Sequence, residues 1–243
     1  MKLSFRRSIA FAFYVVLMIC TASAPAAAQK GKSSRQPKRA ADAARHANAA
    51  AQVIRQIMGV PDKAIPRELL GNAEAIAVCP GVLNAAFIVG GRKGDCMISR
   101  RTAKRGWGTP VFYNMTGGSV GAQIGGAKTD YVLLFMNEGA LKGLMEDKFE
   151  MGGEIGVAAG PVGRSAGAGT NPTLDAGILT YARSKGAFIG AALKGVAITP
   201  DNDLNEAFYG KKAMELVNSR DDTPVPSQVR ALPLQLSRYS NRR

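Results

Sequence analysis

Residues 112–136 place the tightest limit on what this chain can fold into. Five glycines fall between Gly117 and Gly126, and an apolar run from Tyr131 to Met136 follows. Gly117, Gly121 and Gly125 are four apart, as in packed membrane helices. Yet Val120, Ala122 and Ile124 alternate with Ser119, Gly121 and Gln123, the period of a strand. The strand reading prevails. Each glycine costs a helix in water about 1 kcal/mol, and the apolar run is far shorter than the roughly 20 residues of a spanning helix. The expected structure is a glycine-rich strand, a turn at Gly125-Gly126-Ala127-Lys128, and a central strand buried on both faces. Glycines within a strand mark close approach of another backbone or a bend in the sheet.

The rest of the chain can supply one sizeable core: 243 residues with 46% hydrophobic content. The net charge of +14 is unevenly spread. Residues 64–215 carry 16 basic and 14 acidic side chains, whereas residues 29–63 carry 8 and 2. The folded part is therefore nearly neutral and the flanks are basic, which suits either a polyanionic partner, anionic lipid or nucleic acid, or solubility alone.

Taken in order, residues 1–28 read as a secretory signal. Lys2, Arg6 and Arg7 precede a short apolar core, and Ala26-Ala27-Ala28 fits the cleavage rule, leaving Gln29 as the new N-terminus. Ile19 before Cys20 disfavours lipidation at that cysteine. The mature protein is expected to be periplasmic or secreted and peripheral on a membrane. A basic linker follows. The spacing then predicts an amphipathic helix over 40–58, with Ala43, Ala47, Ala50, Ile54 and Ile57 on one face. That face fits either the domain or a membrane surface.

Pro66 to Gly71 reads as a helical turn, Ala75 to Cys79 as a strand and Pro80-Gly81 as a turn. Ala85–Val89 and Cys96–Arg100 read as a hairpin around a tip at Gly90–Asp95. Further on come a helix at Asn137–Lys148 and a strand at Met151–Ala159. A flexible stretch at Arg164–Asn171 precedes a second hairpin across Ser184-Lys185-Gly186 and a short strand at Val196–Thr199. A last helix has capping-box spacing at Asp203 and Glu206. Residues 216–243, proline-rich and polar, are expected to be a disordered tail.

Few patterns point to catalysis. Gly117-Gly118-Ser119-Val120-Gly121 matches the nucleophile-elbow motif. That chemistry needs a base, however, and the single histidine, His46, lies in the leader helix. Gly121 to Thr129 lacks the glycine before lysine that a phosphate loop needs. One histidine and no ligand-spaced cysteines give no metal site, and no cofactor is expected. Cys79 and Cys96 lie on neighbouring candidate strands; they form a disulfide or stay as two buried thiols. Acidic Glu138, Glu146, Asp147, Glu150 and Glu154 read as solvated helix faces. The useful cluster is basic: Arg92 and Lys93 at the first hairpin's tip, then Arg100, Arg101, Lys104 and Arg105. Phosphate oxygens are natural partners for such a surface.

The order of elements also resembles the SYLF domain family. The resemblance runs over residues 64–215. It rests on Ile65-Pro66 with Leu69-Leu70, Ala75 to Pro80, Trp107 to Pro110, Gly117 to Gly125 and Leu134 to Asn137. Ala158 to Arg164, Tyr181 to Gly186, Gly195 and Phe208-Tyr209-Gly210 complete it. It implies a lipid-binding module that binds phosphoinositides, with an N-terminal amphipathic helix and basic residues contributing. Some eukaryotic members bind actin and carry an SH3 domain; no SH3-like segment is visible here. The expectation is thus a single α+β domain with glycine-rich hairpins. It docks on anionic phospholipid, not nucleic acid, through Arg92, Lys93, Arg100, Arg101, Lys104 and Arg105. A protein partner in the envelope is the alternative, and hydrolysis at Ser119 the third reading.

Overall fold

The computed structural model describes residues 35–60, 62, 64–146, 149–152, 156–163, 176–193, 195–220 and 224–240, with backbone alone at 35–37, 86–89 and 119–125. By compactness the chain divides into Met1–Pro37 and Lys38–Arg243, and the second unit holds the sheet and its core. The expected secretory signal, Cys20 and the stretch Arg164–Asn171 lie outside the described residues.

Two helices, α1 (Arg35–Met58) and α2 (Arg67–Asn72), precede two very long strands, β1 (Ala75–Arg100) and β2 (Val111–Phe135). A short helix α3 (Glu138–Lys142) continues as a 3-10 turn, Gly143–Met145. Strands β3 (Phe149–Met151), β4 (Val157–Ala159), β5 (Ile178–Ser184), β6 (Ala187–Gly190) and β7 (Val196–Pro200) come next. Helices α4 (Asn202–Tyr209), α5 (Ala213–Asn218) and α6 (Ala231–Tyr239) close the chain. The strands form one sheet, antiparallel except where β4 joins β5. The α+β class is the one expected.

The long ribbon β1–β2 corrects two expectations. Ala85–Val89 and Cys96–Arg100 are not the arms of a hairpin. They lie on one strand, and Gly90–Asp95 pairs with Asn114–Ser119 of β2. Nor does β2 turn at Gly125–Lys128; its pairing with β1 runs on to Phe135. Local turn chemistry was present at both places, but the ladder to a partner strand overrode it. The ribbon still bends, as its glycines implied. At about 3.3 Å per residue, a straight strand would hold Cys79 and Cys96 roughly 55 Å apart. Their Cα atoms are 4.1 Å apart, and a disulfide joins them. β1 therefore doubles back on itself, and β2 follows, with Tyr131 opposite Cys79 and Tyr113 opposite Cys96.

The bend lies where Ala86 pairs with Gly125 but Ile88 pairs with Gly121, an irregularity that lets a strand turn. The two halves then meet closely. A Cβ on Gly94 would stand 2.9 Å from the Val82 Cα. On the ribbon's other edge, a Cβ on Gly117 would stand 2.9 Å from the Gly195 carbonyl oxygen, where β7 pairs. Pro80-Gly81, expected as a turn, is instead a slip of register between Cys79 and Val82. The Gly81 N–H there donates to the Asp130 carboxylate at 2.8 Å.

Folding the ribbon double gives it two buried faces. Ala75, Ala77, Cys79, Tyr113, Met115, Leu133 and Phe135 line an inner core with β3, β7, α3 and α5. Ile76, Val78, Phe112, Val132 and Leu134 line an outer core with α1 and α6. The period-2 alternation is thus kept on strands that are covered on both sides. Asn205, fully buried on α4, completes the edge of β2. The Phe112 N–H donates to its Oδ1 at 3.0 Å, and its Nδ2 donates to the Phe112 oxygen at 2.9 Å. β7 stops alongside, at Pro200, which has no N–H for a ladder.

Helix α1 docks on the domain. Ala43, Ala47, Ala50, Ile54 and Ile57 are all buried in the outer core. Small alanines let the helix axis approach the sheet, and the apolar face is not available to a membrane. The second hairpin forms as expected, β5 to β6, with Lys185 and Gly186 both at positive φ, the geometry of a two-residue type I′ turn.

Three smaller expectations are corrected. The helix at 137–148 is shorter, α3 plus its 3-10 turn, with Leu141 and Leu144 buried and the Asn137 side chain accepting from Ala140 N–H. The strand at Met151–Ala159 is two strands with different partners, β3 on β7 and β4 on β5. The cap of α4 is Asp201, not Asp203; it accepts from Leu204 N–H at 3.0 Å. Most importantly, the tail is folded over 224–240. Val229, Leu232 and Leu236 are buried in the outer core, a helical i, i+3, i+7 stripe that the surrounding prolines and polar residues conceal.

Candidate functional site

The basic residues are organised by Arg101. It follows the end of β1, and an isolated bridge to Trp107 closes a tight turn. Within that turn Thr102 N–H donates to Gly106 O at 3.0 Å, and Arg105 takes φ 64°. The Arg101 guanidinium lies 3.8 Å from the centroid of the buried Trp107 ring, a cation–π stack. Its N–H groups reach five carbonyl oxygens: Ala73 at 3.2 Å, Arg105 at 3.0 Å, Leu70 at 3.0 Å, Gly71 at 3.2 Å and Ser240 at 3.2 Å. Trp107 Nε1 adds a 2.7 Å bond to Ser240 Oγ. Burial pulls Arg101 down to about 10, against a weaker upward pull from Glu74, so it stays a cation at neutral pH.

One guanidinium therefore ties together the C-terminal end of α2, the turn at 102–106 and the end of α6. Each segment carries an exposed cation outward: Arg67 on α2, Lys104 and Arg105 on the turn, Arg238 on α6. Arg67 and Arg238 share one aromatic neighbour, with guanidinium carbons 5.7 and 5.8 Å from the Tyr239 ring centroid. Among the described residues, no carboxylate pairs with either.

The six residues singled out from the sequence thus divide. Lys93, Lys104 and Arg105 are exposed. Arg101 is the internal staple. Arg100 is turned in as well: Nη1 donates to Val217 O at 2.9 Å, and Nη2 meets Glu138 at 2.9 Å with the side chain only 10% exposed. Burial, then Arg220, lowers its pKa. Arg92 points into the folded ribbon, 6.0 Å from the Tyr131 centroid, with Nε and Nη1 unpartnered. Alternation along β1 explains the split between Arg92 and Lys93. Arg67 and Arg238 were missed. The first lay in a segment read only as a helical turn, the second in a tail read as disordered. The apolar spacing of 229, 232 and 236 was the signal that could have found Arg238.

The other candidates carry little chemistry. The Ser119 backbone sits mid-strand opposite Gly90, whereas a nucleophile elbow needs a strand-to-helix turn. His46 lies on α1, 3.6 Å from Asp95 and edge-on to Phe112. Among the described residues no acidic, cysteine and histidine side chains group as metal ligands. Glu138 is held by Arg100 and Arg220. A cleft of about 190 Å³ between Ile98, Arg100, Tyr209, Lys211, Leu216 and Pro226 is lined partly by the already engaged Arg100. No described helix is long and apolar enough to cross a membrane.

Comparison with known proteins gives a match to the family model Ysc84, described as "Las17-binding protein actin regulator", over residues 116–239. "LAS seventeen-binding protein 3" of Saccharomyces cerevisiae is 34% identical over 158 residues, covering 64% of this chain and 34% of that protein. "Protein YSC84" of the same yeast is 34% identical over 170 residues, covering 66% and 36%. "SH3 domain-containing YSC84-like protein 1" of Homo sapiens is 28% identical over 192 residues, covering 76% and 56%. The chain spans about a third of the length of the yeast relatives. The family match reaches to residue 239 and so takes in α6, which the sequence-based boundary at residue 215 left out.

Proposed function

This chain belongs to the Ysc84 (SYLF) family, and from that premise we propose that it is a non-enzymatic binding protein of the bacterial envelope that docks on anionic phospholipid headgroups. One observation carries the reading: Arg101 gathers three segments so that Arg67, Lys104, Arg105 and Arg238 face solvent around one hub. Each cation near an anionic surface contributes on the order of 1 kcal/mol. Because the apolar face of α1 is buried in the core, attraction rather than insertion of that helix holds the protein on the membrane. Phosphoinositide preference, which the family resemblance implies, is one outcome of a headgroup panel. Export is part of the same proposal: residues 1–28 have the pattern of a signal, and the Cys79–Cys96 disulfide suits an oxidising compartment. An intact mass beginning at Gln29 for the protein recovered outside the cytoplasm checks it.

Co-sedimentation of the mature chain with vesicles tests the docking. Phosphatidylcholine vesicles should capture little. Vesicles containing phosphatidylglycerol should capture it with an affinity that falls about tenfold or more between low and 0.5 M salt. Equal, salt-independent capture by both would end the proposal. Deleting residues 29–63 is no test, since it would remove α1 from the core. A second reading, favoured by relatives whose names record binding to Las17, is a protein partner; a pull-down that survives high salt without vesicle binding would select it.

A further inference from the structure

We propose that Arg67 and Arg238, set about the Tyr239 ring, form a clamp for the terminal phosphate monoester of a single phospholipid headgroup. The inference rests on the headgroup docking proposed above and gives it a site. Arg67 and Arg238 come from opposite ends of the folded domain, yet both guanidinium carbons lie within 5.8 Å of one ring centroid. Two like charges beside one ring, with no carboxylate partner among the described residues, leave a net positive neighbourhood that an anion relieves. The Tyr239 face offsets part of the repulsion.

The geometry of the donors selects the anion. A guanidinium presents its N–H groups in a planar fork that matches the oxygen spacing of carboxylates and phosphates. A terminal phosphate monoester, with three oxygens and close to two charges, answers two such forks and two positive charges better than a carboxylate, with two oxygens and one charge. A neighbouring residue selects a lipid over free phosphate. Leu234 lies four residues before Arg238 on α6, hence on the same helix face, and is 58% exposed. A large apolar side chain one turn from a phosphate-binding arginine matches the boundary between headgroup and acyl chain. Glu68, exposed beside Arg67 on α2, is the carboxylate that an incoming phosphate must avoid.

The experiment compares variants of the mature chain on phosphatidylcholine vesicles with and without phosphatidic acid, alongside titration with inorganic phosphate followed by NMR. All variants must melt within a degree or two of the wild type. R67Q/R238Q should weaken capture by anionic vesicles about tenfold or more, and R67K/R238K, which keeps the charge but loses the forks, should weaken it comparably. K128Q/K142Q removes the same charge elsewhere and should change capture by less than about threefold. L234S should weaken vesicle capture while leaving inorganic phosphate binding unchanged. If R67K/R238K binds like the wild type, or both neutralised pairs lose equally, the clamp is wrong while headgroup docking stands. If the wild type ignores anionic vesicles, docking and clamp both fall. Binding of inorganic phosphate at this pair without vesicle capture would overturn the lipid as its source.

Discussion

Replacing Arg101 with alanine is expected to lower the free energy of unfolding by about 3 to 5 kcal/mol. The substitution orphans five carbonyl oxygens, those of Leu70, Gly71, Ala73, Arg105 and Ser240, and uncovers the Trp107 ring. A buried acceptor left unpaired loses its desolvation penalty without return, on the order of 1–3 kcal/mol for each that water cannot reach. Several of these carbonyls would regain water, which holds the total below the simple sum. Arg101→Lys should recover little, because one ammonium cannot reach acceptors on three segments at once. Urea titration of both variants measures the effect, and a loss under about 1 kcal/mol would contradict the hub.

The same variant has a defined pH response. The native Arg101 value, about 10, lies below the ordinary arginine range because of burial. Below about 10 both the native and unfolded chains hold the proton. Between there and the ordinary arginine value the unfolded chain binds more, so this group's contribution to stability rises with pH only in that alkaline window. The difference between wild type and Arg101→Ala should therefore be flat from pH 6 to 8.

Removing the Cys79–Cys96 bridge should cost about 3 kcal/mol, the loop-closure value for a loop of this size. The two residues are 17 apart on a single strand, and the bond holds that strand doubled back. Equilibrium unfolding with and without a reducing agent, and of the Cys79→Ala/Cys96→Ala variant, measures it. Identical midpoints in all three would show that packing across the bend, Gly94 against Val82, suffices alone. If the reduced protein unfolds earlier while its native spectrum is unchanged, the bond acts mainly on the unfolded chain, as the entropic account requires.

Much of the fold was legible where neighbours a few residues apart decide it. Alternation at 119–124 identified a strand despite its glycines, and the alanine and isoleucine spacing at 43–57 identified a helix face. The turn at Lys185-Gly186 was written in the residues themselves. What failed were the places where local chemistry and a distant partner disagree. Gly90–Asp95 has the composition of a turn, but Asn114–Ser119 offers it a ladder. The residues beyond Ser219 have the composition of a tail, but the outer core offers Val229, Leu232 and Leu236 a surface to cover. The candidate site failed in the same way: charge counting found Arg100 and Arg101, while all their partners except Arg105 and Trp107 lie 28 to 139 residues away.

Period, capping and charge are properties of short stretches, so the order of residues alone set the α+β class, the family and the basic character of the surface. Which arginines face water is a property of contacts made across the whole chain. Only the folded ribbon and the packed C-terminal helix decided that Arg101 would be a staple and that Arg67 and Arg238 would stand exposed beside one ring. A guanidinium can serve either role, and the number of carbonyl oxygens that the fold brings within its reach determines which.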